Sequence, residues 1–166
     1  MFRQELDREY SPMSPTSASV MYGFLECTVR QYMTSALTTV TREVSMREIE
    51  TLFEKHDFNV FPVVEDGKML GIVTKYDFIK NFAFTTDQIV PPFEELMQKT
   101  VADVMTESVV HVEPEIPLTR VLQLMVRLKT RSFPVVHDGR LLGMIARTDV
   151  MRALKNTTQT TLNRHS

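Results

Sequence analysis

Two short runs hold the residue types best suited to chemistry. They are Gly71-Ile72-Val73-Thr74-Lys75-Tyr76-Asp77 and Gly143-Met144-Ile145-Ala146-Arg147-Thr148-Asp149. An aspartate carboxylate only accepts hydrogen bonds, and it can take both hydroxyls of a ribose. Thr74, three residues before Asp77, can donate to a ribose or phosphate oxygen. A helix starting at this point would add unpaired N–H groups and the positive end of its dipole. The same Thr-x-x-Asp spacing is also a helix-capping variant, with Thr74 at the N-cap and Asp77 at N3. One pair of residues can do both jobs.

Other chemistries find little support. The single cysteine, Cys27, sits between Glu26 and Thr28 with no histidine nearby in sequence. It allows neither an internal disulfide nor a thiolate metal cage. His56, His111, His137 and His165 fall at no zinc-binding spacing, and there is no glycine-rich phosphate loop or Ser-His-Asp order. Asp66-Gly67 and Asp138-Gly139 read as hairpin turns rather than metal or phosphate loops. Basic residues number 19 and acidic residues 21, a net charge of −2. That balance argues against non-specific nucleic-acid binding. No apolar run reaches the ~18 residues of a membrane span, and the N-terminus lacks the apolar core of a secretory signal. A cytoplasmic protein without metal is the expectation.

The elements that must position the two runs come from an internal repeat. Residues 29–82 align without a gap onto 101–154, an offset of 72. Phe61-Pro62-Val63-Val64 recurs as Phe133-Pro134-Val135-Val136, and Met33-Thr34 recurs as Met105-Thr106. Each copy predicts a short strand (38–41, 110–113), then a helix. In the first copy Ser45 and Glu48 have capping-box spacing, and Ile49, Leu52, Phe53 and His56 form an apolar stripe. In the second copy Pro117 suits a first helical position, and Val121, Leu124, Met125 and Leu128 repeat the stripe. A hairpin over 60–65 and 68–74, with its counterpart in the second copy, comes next. Final helices run to about 82 and 154. The unit is β-α-β-β-α, twice, an α/β fold. The expected organisation is a mobile segment 1–20, a first repeat with an N-terminal helix over 21–82, and a linker with a short helix over 83–99. A second repeat over 100–155 and a fraying tail over 156–166 complete it.

This pattern resembles a tandem pair of CBS domains, also called a Bateman module. The resemblance rests on the Val-x-x-h-Met-Thr, Phe-Pro-Val-Val, Asp-Gly and Gly-h-h-(Thr/Ala)-x-x-Asp runs of both copies and covers about residues 29–154. It implies two repeats related by a pseudo-twofold axis, with two clefts between the sheets. Such modules bind adenosine ligands (AMP, ADP, ATP or S-adenosylmethionine), usually dimerise, and in several cases regulate an attached effector. Nothing in the remaining sequence reads as a catalytic domain. The resemblance therefore implies a regulatory adenine-nucleotide-binding module that signals to a protein partner in trans. It implies no covalent cofactor and no catalysis. The alternative is a ligand-free dimerisation or interaction module, motivated by the loss of the threonine at Ala146.

By resemblance, Thr38, Thr39 and Val40 would line the base with their backbone, and Val60, Phe61 and Pro62 would form its other wall. Thr74 and Asp77 would hold ribose and phosphate, with Lys75 near the phosphates. The second copy supplies His111 and Val112 at the first strand, then Ser132, Phe133 and Pro134. Its Asp149 can still hold a ribose, and Arg131 and Arg147 can reach phosphate. Arg131 replaces Asn59, and His111 replaces Thr39. The two sites should be unequal, the first with the fuller ribose motif and the second with the more basic phosphate side. Lys75, Arg131 and Arg147 are equally well read as solvated surface cations. The apolar residues Phe78, Ile79, Phe82 and Phe84 suggest a self-association patch.

Overall fold

The computed structural model describes residues 21–84, 86 and 92–163. The expectation of a mobile 1–20 segment lies outside the described residues. Helical residues 21–25 (α1) and Val29–Tyr32 (α2) lead into a long loop and α3, Met46–Lys55. The hairpin β1, Val60–Glu65, and β2, Lys68–Thr74, follows, then α4, Lys75–Ile79, and a 3-10 turn, Lys80–Phe82. Past the linker come α5, Phe93–Gln98, and α6, Val101–Val104. The second unit continues with β3, Thr106–Glu107, α7, Leu118–Leu128, β4, Ser132–His137, β5, Arg140–Ala146, and α8, Arg147–Asn163.

Local chemistry accounts for most of these elements. Ser45 caps α3 by accepting from the Glu48 N–H, and the Glu48 carboxylate accepts the Ser45 N–H at 2.8 Å. Met46, Ile49 and Phe53 bury the apolar stripe. His56 falls just past the helix, where its ring stacks on Phe58. Asp66 and Gly67, like Asp138 and Gly139, adopt positive φ, as a tight hairpin turn requires. The strands expected over 38–41 and 110–113 shrink to single parallel bridges, Val40 to Val63 and Val112 to Val135. The tail expected from 156 carries the last turns of α8, which runs to Asn163.

The two units exchange their leading segments. Val29 N–H donates to the Ile116 carbonyl and Leu118 N–H to the Cys27 carbonyl. Seventy-two residues on, Val101 N–H donates to the Val44 carbonyl and Met46 N–H to the Lys99 carbonyl. Thr34 pairs with Met144 in β5, and Thr106 pairs with Ile72 in β2. This reciprocity is what a pseudo-twofold axis demands. The cores follow it. Phe24, Cys27 and Val29 are buried with Leu118, Val121, Phe133 and Ile145. Val101 and Val104 are buried with Met46, Ile49, Phe61 and Val73.

The exchange explains two glycines. A Cβ on Gly71 would lie 2.3 Å from the Thr106 carbonyl oxygen, and one on Gly143 would lie 2.7 Å from that of Thr34. Both glycines admit the visiting strand. The sheet then runs β1-β2-β5-β4, with β3 on β2. The apolar patch also changes shape. Phe78 and Phe82 turn onto the first core, leaving Ile79 and Phe84 exposed with Tyr76 and Phe93.

Candidate functional site

The strand-to-helix junctions place both aspartates at helix N-termini, buried and close to the partner unit's leading segment. Their hydrogen bonding differs. At Asp77, Oδ2 accepts the Thr74 N–H at 2.9 Å and the Thr74 hydroxyl at 2.6 Å. Its Oδ1 accepts the Lys80 ammonium at 2.7 Å and the Thr106 hydroxyl at 3.3 Å. A carboxylate offers about four acceptor positions, so Asp77 is fully used by the protein. Burial pushes its carboxyl up, but the bonds from Lys80 and Thr74 outweigh that and hold it below the usual range.

Asp149 is half-used. Among the described residues, its Oδ2 accepts only the Ala146 N–H and its Oδ1 only the Arg152 guanidinium, both at 2.8 Å. One acceptor position remains on each oxygen. Vicinal ribose hydroxyls need two such positions side by side.

Asp149 opens into a cavity of about 470 Å³ built by both units. Thr34, Ala36, Leu37 and Thr38 come from the exchanged loop of the first unit, and Asp57, Phe58, Asn59, Val60 and Pro62 from its β1 entry. The second unit contributes Arg131, Ser132, Met144, Ala146, Thr148 and Asp149. Leu37, Val60, Pro62 and Met144 make an apolar slot suited to a flat base. Asp149 lies at its edge, and Asp57 and Arg131 are the exposed charges at the cavity.

This arrangement corrects the pairing expected from the sequence. Thr38, Val60 and Pro62 share their cavity with Asp149, not with Thr74 and Asp77 of their own copy. The exchanged segments are the reason, since Thr34 pairs with Met144 in β5 and Thr106 with Ile72 in β2. Arg131 and Ser132 also line this cavity. Several other expected residues do not. Phe61, Val40, Phe133 and Val112 are core residues, and Phe61 packs against Phe53 with ring centres 5.0 Å apart. Thr39 is exposed and absent from the lining, as is the buried Pro134. Lys75 lies over the Phe53 ring at 5.9 Å, and Arg147 Nε donates to the Thr130 carbonyl at 2.9 Å; neither residue lines this cavity. His111 lines a separate hollow of about 400 Å³ with Gly71, Ser108 and Glu113.

Sequence reasoning missed Thr34, Ala36, Leu37, Asp57, Phe58, Met144 and Thr148 as lining. The shared 72-residue offset held a usable signal. Met33-Thr34 and Met105-Thr106 repeat too well for a free loop, and Gly71 and Gly143 mark a close backbone approach.

Known proteins share this fold. A family model described as the CBS domain matches residues 29–83 and 101–156. Uncharacterized protein MJ0188 from Methanocaldococcus jannaschii is 30% identical over 128 residues, 75% of this chain and 43% of that protein. The chain thus spans less than half of that relative. CBSX2 from Arabidopsis thaliana superposes with a TM-score of 0.69 at 28% identity, covering 80% of this chain and 96% of that one. CBSX2 has also been solved in complex with AMP, with a TM-score of 0.67 at 28% identity, covering 78% of this chain and 96% of that one. The CBS domain pair of protein MJ0100, in complex with 5′-methylthioadenosine and S-adenosyl-L-methionine, gives 0.61 at 25% identity, covering 76% and 98%.

Proposed function

The chain belongs to the CBS domain family, and on that premise we propose that it is a regulatory module that binds an adenosine ligand in the Asp149 cleft. The observation carrying this reading is the half-used Asp149 carboxylate at the edge of a cavity that both units build. The base would enter the slot between Leu37, Val60, Pro62 and Met144, and the ribose hydroxyls would bond to Asp149. Because the lining comes from both units, a bound ligand favours the arrangement that brings them together. AMP in CBSX2, and 5′-methylthioadenosine and S-adenosylmethionine in MJ0100, support the ligand class. The output would be a changed surface offered to a protein partner, without turnover of the ligand.

Self-association belongs to the same reading. Leu122 and Val126 on α7 and Met151 on α8 are exposed, as are Tyr76, Ile79 and Phe84. That much apolar surface suits a homodimer. It also favours the second reading, a dimerising interaction module with no small ligand.

Thermal unfolding against AMP, ADP, ATP, S-adenosylmethionine and a guanine control tests this. A ligand at 100 times its Kd adds about 2.7 kcal/mol of stability, a shift of several degrees at this length. The expected result is a shift with an adenosine ligand that Asp149→Ala abolishes. A protein that sediments as a dimer and ignores every adenosine ligand would instead establish the interaction module.

A further inference from the structure

The charges around the Asp149 cleft suit only some adenosine ligands. Three ionisable side chains line it, Asp57, Asp149 and Arg131. Two carboxylates thus face one guanidinium. Arg152 neutralises Asp149 from outside the lining, which leaves Asp57 against Arg131. No hydrogen bond or ion pair engages either of those two side chains among the described residues. Among the charged side chains of the lining, a polyphosphate therefore meets one unpaired cation and one free anion, beside the N-terminus of α8. Beside Asp57 stands Phe58, exposed, with the His56 ring stacked on it at 5.2 Å. An aromatic face next to a free carboxylate attracts a cation and repels phosphate.

The pseudo-symmetric positions in the second copy underline this. Asp57 and Phe58 correspond, at the offset of 72, to Lys129 and Thr130. The sign of the charge is reversed and the aromatic ring is gone.

Building on the adenosine reading above, we propose that the Asp149 cleft selects adenosine ligands whose 5′ substituent is neutral or cationic, and that Asp57 is the residue that turns polyphosphates away. Thionucleosides and sulfonium nucleosides are the class this chemistry fits. Like charge close by costs binding, and unlike charge repays it, even where the head groups stay partly hydrated.

The test is calorimetric titration of the full chain with 5′-methylthioadenosine, AMP and ATP at low and at physiological salt. Wild type, Asp57→Asn and Asp57→Lys are compared. Asp57 is exposed and unpartnered, so both variants should fold, and their unfolding temperatures verify that. We expect wild type to bind 5′-methylthioadenosine at least about tenfold more tightly than ATP. Asp57→Asn should narrow that ratio and Asp57→Lys close or invert it, with smaller differences at higher salt. Binding of 5′-methylthioadenosine itself should change less than about threefold. ATP binding most tightly to wild type, or a ratio that Asp57→Lys leaves unchanged, overturns this inference while leaving the adenosine reading intact. Binding of none of the three ligands overturns both.

Discussion

Asp77 and Asp149 occupy the same position in the two repeats, yet their carboxylates are bonded differently. Asp77 has Thr74 three residues before it, and that hydroxyl completes a capping box. Lys80 and Thr106 take the other oxygen. Asp149 has Ala146 in place of Thr74, and its carboxylate keeps room for two more donors. The copy with the fuller motif is thus the better-capped one, and the copy that departs from the motif has the acceptors left for a ligand. A capping carboxylate and a ribose-binding carboxylate compete for the same lone pairs. Removing one methyl-bearing hydroxyl shifts the balance between them.

The sharpest test of that contrast exchanges the two aspartates for alanine. Two hydrogen bonds to a charged group are worth about 3 kcal/mol together. Asp149→Ala should therefore weaken adenosine-ligand binding about a hundredfold by calorimetry. Asp77→Ala should leave it within a few-fold and instead lower the unfolding free energy. Equal losses of affinity in the two variants would break the comparison.

The exchanged strands give the next largest effect. Gly71→Ala drives a Cβ against the Thr106 carbonyl and the Met105 methyl, and Gly143→Ala against the Thr34 carbonyl and the Met33 sulfur. Overpacking of this kind costs roughly 1–3 kcal/mol. Denaturant unfolding should show both variants destabilised, Gly71→Ala more than Gly143→Ala, because its approach is closer.

Exchanging the capping residues has a smaller effect that can be read in both directions. Thr74→Ala should cost about 1 kcal/mol of stability. Ala146→Thr should add about half that while weakening the ligand, since the new hydroxyl takes an acceptor position on Asp149. A variant at 146 that gained stability and kept full affinity would argue against competition for lone pairs.

The smallest effect is in the pH dependence. Asp77 is held below its ordinary value, so its folded-state pKa lies under the unfolded one. Its stabilisation is complete above the ordinary carboxylate range, near pH 4, and is lost as pH falls through the folded-state value. Unfolding free energies from pH 6 down to pH 2 should fall less steeply in Asp77→Asn than in wild type.

Much of the fold was legible in the residues. Ser45 and Glu48 announced α3, Asp66-Gly67 and Asp138-Gly139 announced the hairpins, and all three features depend only on neighbours in sequence. The strands at Val40 and Val112 were overestimated because an apolar-polar alternation cannot say how many ladder bonds a partner will offer. The candidate cavity was half legible. Asp149, Arg131, Ser132, Thr38, Val60 and Pro62 were named from sequence and line it, but Thr38, Val60 and Pro62 were grouped with Asp77 and lie with Asp149. For Lys75 and Arg147 the sequence leaves phosphate ligand and surface cation open, because it shows a cation's position and not the ring or carbonyl beside it.

By itself the sequence determined the duplication, the order of elements within each copy, and the two aspartates at strand-to-helix junctions. Those properties follow from spacing and from contacts a few residues apart. Only the tertiary structure decided which loop meets which aspartate. That pairing depends on exchanged segments whose hydrogen bonds join residues far apart in sequence, such as Val29 to Ile116 and Thr34 to Met144. In a chain whose two copies share the same local signals, either copy's loop could satisfy those bonds on local grounds. Burial of Phe24 and Val29 in one core, and of Val101 and Val104 in the other, makes the choice.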